Sequence, residues 1–189
     1  MSTHRLLVTG PSGAGSTTLG RALATLWAVP HADVDDYLWM PGIPPYTHKR
    51  PVEDRLALME ALFVPRSSWV LSGTLRGWGD PVIAQADGVV FLTIDPEVRM
   101  GRLMRREVVR YGEEHIGAGG ALEAAHQDFM DWARAYEDTE VPARQAKDER
   151  WLAGLTCPVL RLDSAAPLEK LVTGVTDWFG GGDAAGRSG

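Results

Sequence analysis

Residues 5–18 read RLLVTGPSGAGSTT, and this stretch decides the fold. Arg5 to Thr9 is a short apolar run, and Leu19, Leu23, Leu26 and Trp27 recur at helical spacing within Ser16 to Ala28. A glycine-rich loop lies between this predicted strand and this predicted helix, the context in which such a string carries meaning. Its backbone N–H groups and the helix N-terminus would face an anionic phosphate, and glycine keeps side chains out of the approach. Gly10, Ser12, Gly13, Ala14, Gly15, Ser16, Thr17 and Thr18 are therefore expected to bind a nucleoside triphosphate, with the Thr17 hydroxyl also on Mg²⁺. The usual pattern has lysine between the last glycine and the threonine; here that position is Ser16. Backbone amides survive the replacement, but a cation that stabilises charge during phosphoryl transfer must then come from elsewhere.

Working outward, His31 to Asp35, Trp69 to Ser72, Gly88 to Ile94 and Pro158 to Leu162 read as further strands. Helical stretches fall between them at Val52 to Phe63, Pro96 to Tyr111, Leu122 to Glu137, Ala143 to Leu155 and Pro167 to Phe179. Strands alternating with helices predict an α/β domain, a parallel sheet wrapped by helices. Met40 to Pro51 is proline-rich and Tyr111 to Gly120 glycine-rich, and both are expected to be loops over the site. Phe129, Trp132 and Tyr136 fit the core face of an amphipathic helix.

The 189 residues, 44% hydrophobic and 23% charged, suit one domain, expected over 1–178, with a glycine-rich disordered tail at 179–189. A net charge of −6 removes the positive field that general nucleic-acid binding requires. Cys157 stands alone, so no internal disulfide is possible, which fits a reducing cytoplasm. There is no signal-peptide pattern and no apolar run long enough to span a membrane. The protein is expected to be cytoplasmic, a monomer or homodimer, with a nucleotide and a small molecule as its partners rather than nucleic acid or membrane. The histidines show no metal-ligand spacing.

The N-terminal GPSGAGSTTLGRALA and the order of elements resemble the P-loop nucleoside-monophosphate kinase and shikimate/gluconate kinase group. The likeness is closest to adenylate-kinase-like bacterial proteins whose loops carry Ser or Thr in place of lysine. It spans roughly residues 4 to 178 and implies a three-layer P-loop fold with a five-stranded parallel sheet, ATP and Mg²⁺ as cofactors, and a short lid bringing arginines over the phosphates. Adenine would lie near Asp163 to Pro167. In open parallel sheets ligands bind beyond the carboxyl ends of strands, which is where Asp33, Asp35 and Asp36 sit. If the strand runs to Asp35, Asp33 and Asp35 share a face. Asp35 is then the expected catalytic acceptor-side carboxylate, and Asp33 an acceptor-binding one. True adenylate kinases have a Thr-Gly pair near here; this chain has Asp-Val-Asp-Asp-Tyr.

After the third strand, Arg76 is expected to pair with an acceptor anion and Trp78 to stack on a ring. Lys49, in the proline-rich loop, would border the same pocket. Arg99, Arg102 and Arg106 share a helix face ahead of the lid position, and Arg144 opens the next helix. Arg102, Arg106 and Arg144 are the expected catalytic cations, because guanidinium matches phosphate oxygens in two-pronged geometry. Two functions remain open: a kinase transferring the ATP γ-phosphoryl group, favoured by the acids and arginines, and a nucleotide sensor without useful turnover, favoured by Ser16.

Overall fold

Alternate side chains of the three central strands enter opposite layers, and this alternation builds the core. The computed structural model describes residues 4–42, 45–138 and 144–185, with side chains as far as residue 180. The strands are β1 (Arg5–Thr9), β2 (His31–Asp33), β3 (Trp69–Ser72), β4 (Gly88–Thr93) and β5 (Val159–Asp163). They form one five-stranded sheet in the order β2-β3-β1-β4-β5, parallel at every pairing. Leu7, Trp69, Leu71, Val89 and Phe91 face one layer, packed with Met59, Phe63, Val82, Ile83 and Leu152. Leu6, Val8, Val70, Val90 and Leu92 face the other, against Leu19, Leu23, Leu171 and Val175. Both faces are covered, as parallel sheets require.

The helices are α1 (Ser16–Trp27), α2 (Val34–Leu38), α3 (Val52–Leu62), α4 (Asp80–Ile83), α5 (Pro96–Tyr111), α6 (Glu113–Ile116), α7 (Glu123–Arg134), α8 (Arg144–Ala153) and α9 (Leu168–Ala185). The first layer is supplied by α3, α4 and α8, the second by α1 and α9. Leu103 of α5 and Met130 and Ala133 of α7 make a separate small core, so these two helices stand together as an outer pair.

Four expectations shift. The second strand stops at Asp33, not Asp35, because the Asp33 carboxylate accepts the Asp35 N–H at 3.1 Å and caps α2. Caps of this kind contribute about 1 kcal/mol. The glycine-rich 111–120 stretch is not an open loop: it contains α6, whose Ile116 is buried. The proline-rich segment is tied at its base, where Trp39 bridges Lys49 and Arg50 donates to the Leu38 carbonyl at 2.8 Å. Finally, α9 runs on to Ala185, into the stretch expected as tail; 186–189 lie outside the described residues, as do Ala143 and the loop residues 43 and 44. No helix among the described residues is long and apolar enough to cross a membrane.

Candidate functional site

The loop from Gly10 to Gly15 turns between β1 and α1 with one short internal bond, Ala14 N–H to the Pro11 carbonyl at 2.9 Å. Gly13 and Gly15 both adopt φ +93°, the left-handed region that side chains resist. They face different surroundings. A Cβ on Gly13 would stand 2.8 Å from Leu103 Cγ, against α5, whereas one on Gly15 would meet nothing within 4 Å. Gly15 thus borders open space at the head of α1. It also caps that helix without a side-chain hydrogen bond, and no acidic residue occupies the first turn. The positive end of a twelve-residue helix is left available to an anion.

The acids meet this loop directly. Thr17 Oγ1 donates to Asp33 Oδ2 at 3.0 Å, joining the first turn of α1 to the end of β2. Asp33 Oδ1 accepts the Asp35 N–H, so the cap that ends the strand also sets Asp35 beside Asp33. Burial raises the Asp35 pKa above the ordinary carboxylate value, the Asp33 charge raises it further, and a hydrogen bond with Trp39 and the charge of Arg106 oppose the rise. The two carboxylates come together as expected, but through a helix cap rather than a shared strand face. Beneath them, Ser72 Oγ donates to the Ser16 carbonyl at 3.1 Å and pairs with His31 Nε2 at 2.8 Å, holding the start of α1 against β3. Burial pushes the His31 pKa down.

The cations divide among different tasks. Arg106 is partly exposed, lies 5.6 Å over the Phe129 ring and acts electrostatically on Asp35. Arg102, expected over the phosphates, instead donates to Ser164, to Oγ at 3.3 Å and the carbonyl at 2.9 Å. It lies one helical turn before Arg106, which brings its guanidinium to the turn between β5 and α9. Arg144 stacks 3.9 Å over the Trp132 ring and donates to the Trp132 carbonyl. Its pKa is lowered by burial and by the nearby Arg99 charge. Among the residues expected to bind an acceptor, Arg76 is held by Asp148 of α8 at 2.5 Å, a partner within the chain. The Trp78 ring is covered by Arg55, with the guanidinium 5.1 Å from its centre, and Lys49 lies 5.4 Å over Trp39. Lys49 is exposed, and Arg76 and Trp78 are half-buried. Thr18 is exposed too, on the first turn of α1.

Three features escaped the sequence reading. Arg99 is fully buried beside the loop. Arg55 is also buried, and donates from Nε to the Arg50 carbonyl at 2.6 Å. Tyr136 donates to Asp148 Oδ2 at 2.8 Å; burial and the Asp148 charge raise its pKa, so the phenol stays a donor. Arginines on charged helices look like solvated faces, and nothing in the sequence marked these as interior. Trp132 departs the other way, since more than half of it is exposed beneath Arg144 rather than in the core. Among the described residues, no cluster of three or more His, Cys, Asp or Glu is placed to hold a metal ion.

Comparison with known proteins supplies the lineage. No family model matches. A shikimate kinase from Bacteroides thetaiotaomicron superposes with a TM-score of 0.54 at 19% identity, covering 94% of this chain and 98% of that one. An unliganded sugar kinase from Janibacter sp. HTCC2649 gives 0.54 at 19% identity, with 94% of each chain covered. A shikimate kinase from Aquifex aeolicus vf5 gives 0.53 at 16% identity, covering 96% and 99%. At these identities the likeness shows the fold, which is that of the P-loop kinases. The uncharacterized protein YqaC of Bacillus subtilis (strain 168) is 37% identical over 173 residues, 91% of this chain and 95% of that protein. With nearly the full length of both chains aligned at that identity, the protein belongs to the family of YqaC.

Proposed function

We propose that this protein is a Mg²⁺-dependent kinase that transfers the γ-phosphoryl group of ATP to a small hydroxyl-bearing acceptor. The observation that carries the reading is the Thr17 to Asp33 hydrogen bond at 3.0 Å, which makes the phosphate loop and the acids at the end of β2 one centre. Residues Gly10 to Thr18 bind the phosphates mainly through backbone N–H groups and the start of α1. Thr17 and Asp33 offer hard oxygen donors, which suit Mg²⁺, an ion content with one or two protein ligands beside phosphate oxygens. The metal supplies charge neutralisation at the phosphates. Asp35 takes the proton of the acceptor hydroxyl, and its raised pKa moves it toward the working range of a general base.

Arg106 and Arg144 neutralise charge that develops during transfer, while Arg102, fixed on Ser164, borders the adenine side. Kinases named for shikimate, a sugar and gluconate share the fold, and the Asp-Val-Asp-Asp-Tyr string after β2 favours a hydroxyl acceptor of that kind over AMP. The test is transfer of label from γ-labelled ATP to a panel of AMP, shikimate, gluconate and related polyols. Label on a hydroxyl acceptor, dependent on Mg²⁺ and lost in Gly15→Val, is the expected result. If ATP binds but no acceptor is labelled, the nucleotide-sensor reading, which Ser16 favours, replaces this one.

A further inference from the structure

Arg99 is a buried cation that the proposed chemistry does not use. Its side chain is 1% exposed, yet its guanidinium reaches three separate places. Nη1 donates to the Ser12 carbonyl at 3.3 Å; Nη2 donates to the Ala133 carbonyl at 3.1 Å and to Glu137 Oε2 at 2.7 Å. Nε is buried without a hydrogen-bond partner among the described residues. An apolar side chain would fill this position without the desolvation penalty of a guanidinium, so packing alone does not account for the charge. The loop rests on this residue: a Cβ on Gly13 would stand 3.1 Å from Arg99 Cγ. Because the peptide is planar and trans, the Gly13 N–H points opposite to the Ser12 carbonyl that Arg99 holds.

We infer that Arg99 is a positioning residue for the phosphate loop, standing in from α5 for the lysine that Ser16 replaces. It fixes the Ser12–Gly13 peptide by its carbonyl and polarises it, so that the N–H on the other side is a stronger donor to a phosphate. A charge set behind the peptide thus acts through it, where a lysine would touch the phosphate itself. Ala133 and Glu137 tie the same guanidinium to the end of α7 and the residues after it, so the loop and the outer helix pair share one anchor.

The inference rests on the phosphate-loop reading, and calorimetry of Mg²⁺ with ATP and with ADP separates the two. Arg99→Met should weaken ATP binding by about tenfold or more, as expected for loss of a charged hydrogen bond, and ADP binding by less. Adding Ser16→Lys to the same chain should restore most of the loss, which a purely structural arginine would not allow. Wild-type ATP affinity in Arg99→Met, or no recovery with Ser16→Lys, overturns the inference and leaves the phosphate loop standing. No ATP binding by the wild type overturns the loop reading itself. Should Arg99→Met fail to fold, Glu137→Gln decides: Glu137 is partly exposed, and removing its counter-charge should tighten ATP binding. Unchanged or weaker binding in Glu137→Gln, with a lowered melting temperature, would mark the pair as structural only.

Discussion

Asp33 uses its two carboxylate oxygens differently: one caps α2 through the Asp35 N–H, and the other accepts the Thr17 hydroxyl. A single side chain therefore ends the strand, starts the helix and orients the residue proposed to hold the metal. Asp35 bears the consequence, sitting near a second carboxylate with its pKa raised above the ordinary carboxylate value, chiefly by burial and then by Asp33. A group with a folded-state pKa above its unfolded one binds more protons when folded, so stability falls as pH rises through that window. Ionised Asp35 thus costs stability at neutral pH. Asp35→Asn should melt higher than wild type at about pH 7, with the gap closing below the ordinary carboxylate range, as read by thermal scans across pH. Turnover in the same variant should drop by about a hundredfold or more while ATP affinity changes little. A variant less stable at neutral pH would remove Asp35 from the strained centre.

At the scale of elements, α5 places three arginines at successive levels. Arg99 is buried under the loop between β1 and α1, Arg102 lies on the β5–α9 turn, and Arg106 is partly exposed near Asp35. Their i, i+3, i+7 spacing was legible in the sequence, but not their separate tasks, because periodicity assigns a face and says nothing of which neighbour each level meets. The division predicts different kinetics. Arg102→Ala should raise the ATP KM with kcat little altered, since contacts on the base side are the same in ground and transition states. Arg106→Ala should lower kcat more than it raises KM, because charge near the transferred group counts most in the transition state. Equal effects of the two substitutions on both constants would contradict the assignment. The end of β2 was misread for a related reason: alternation extends a strand as long as polar residues alternate, whereas Asp33 turning back on the Asp35 N–H is a local capping choice that competes with it.

For the whole molecule, the sheet was readable because strands buried on both faces are written as unbroken apolar runs, as Trp69 to Ser72 and Gly88 to Thr93 show. The loop between β1 and α1 was readable because its turn places Gly13 and Gly15 in the left-handed region that glycine tolerates best. The surroundings of Arg76 and Trp78 were not, since Arg55 on Trp78 and Tyr136 with Arg76 on Asp148 are contacts between segments far apart in sequence that leave no periodic trace. Those contacts link the turn after β3 to α8 and to the residues after α7, while Thr17 and Asp33 link α1 to β2, so the proposed donor and acceptor sides converge at the carboxyl ends of the strands. The claim that this convergence is one Mg²⁺-dependent reaction centre is tested most directly by titrating Mg²⁺ against the rate of ATP turnover in wild type and in Asp33→Asn. Asparagine still caps α2 but lacks the charge. The account predicts that Asp33→Asn needs about tenfold more Mg²⁺ for half-maximal rate and reaches a lower maximum; an identical Mg²⁺ dependence in the two proteins, or no turnover in the wild type, would contradict it.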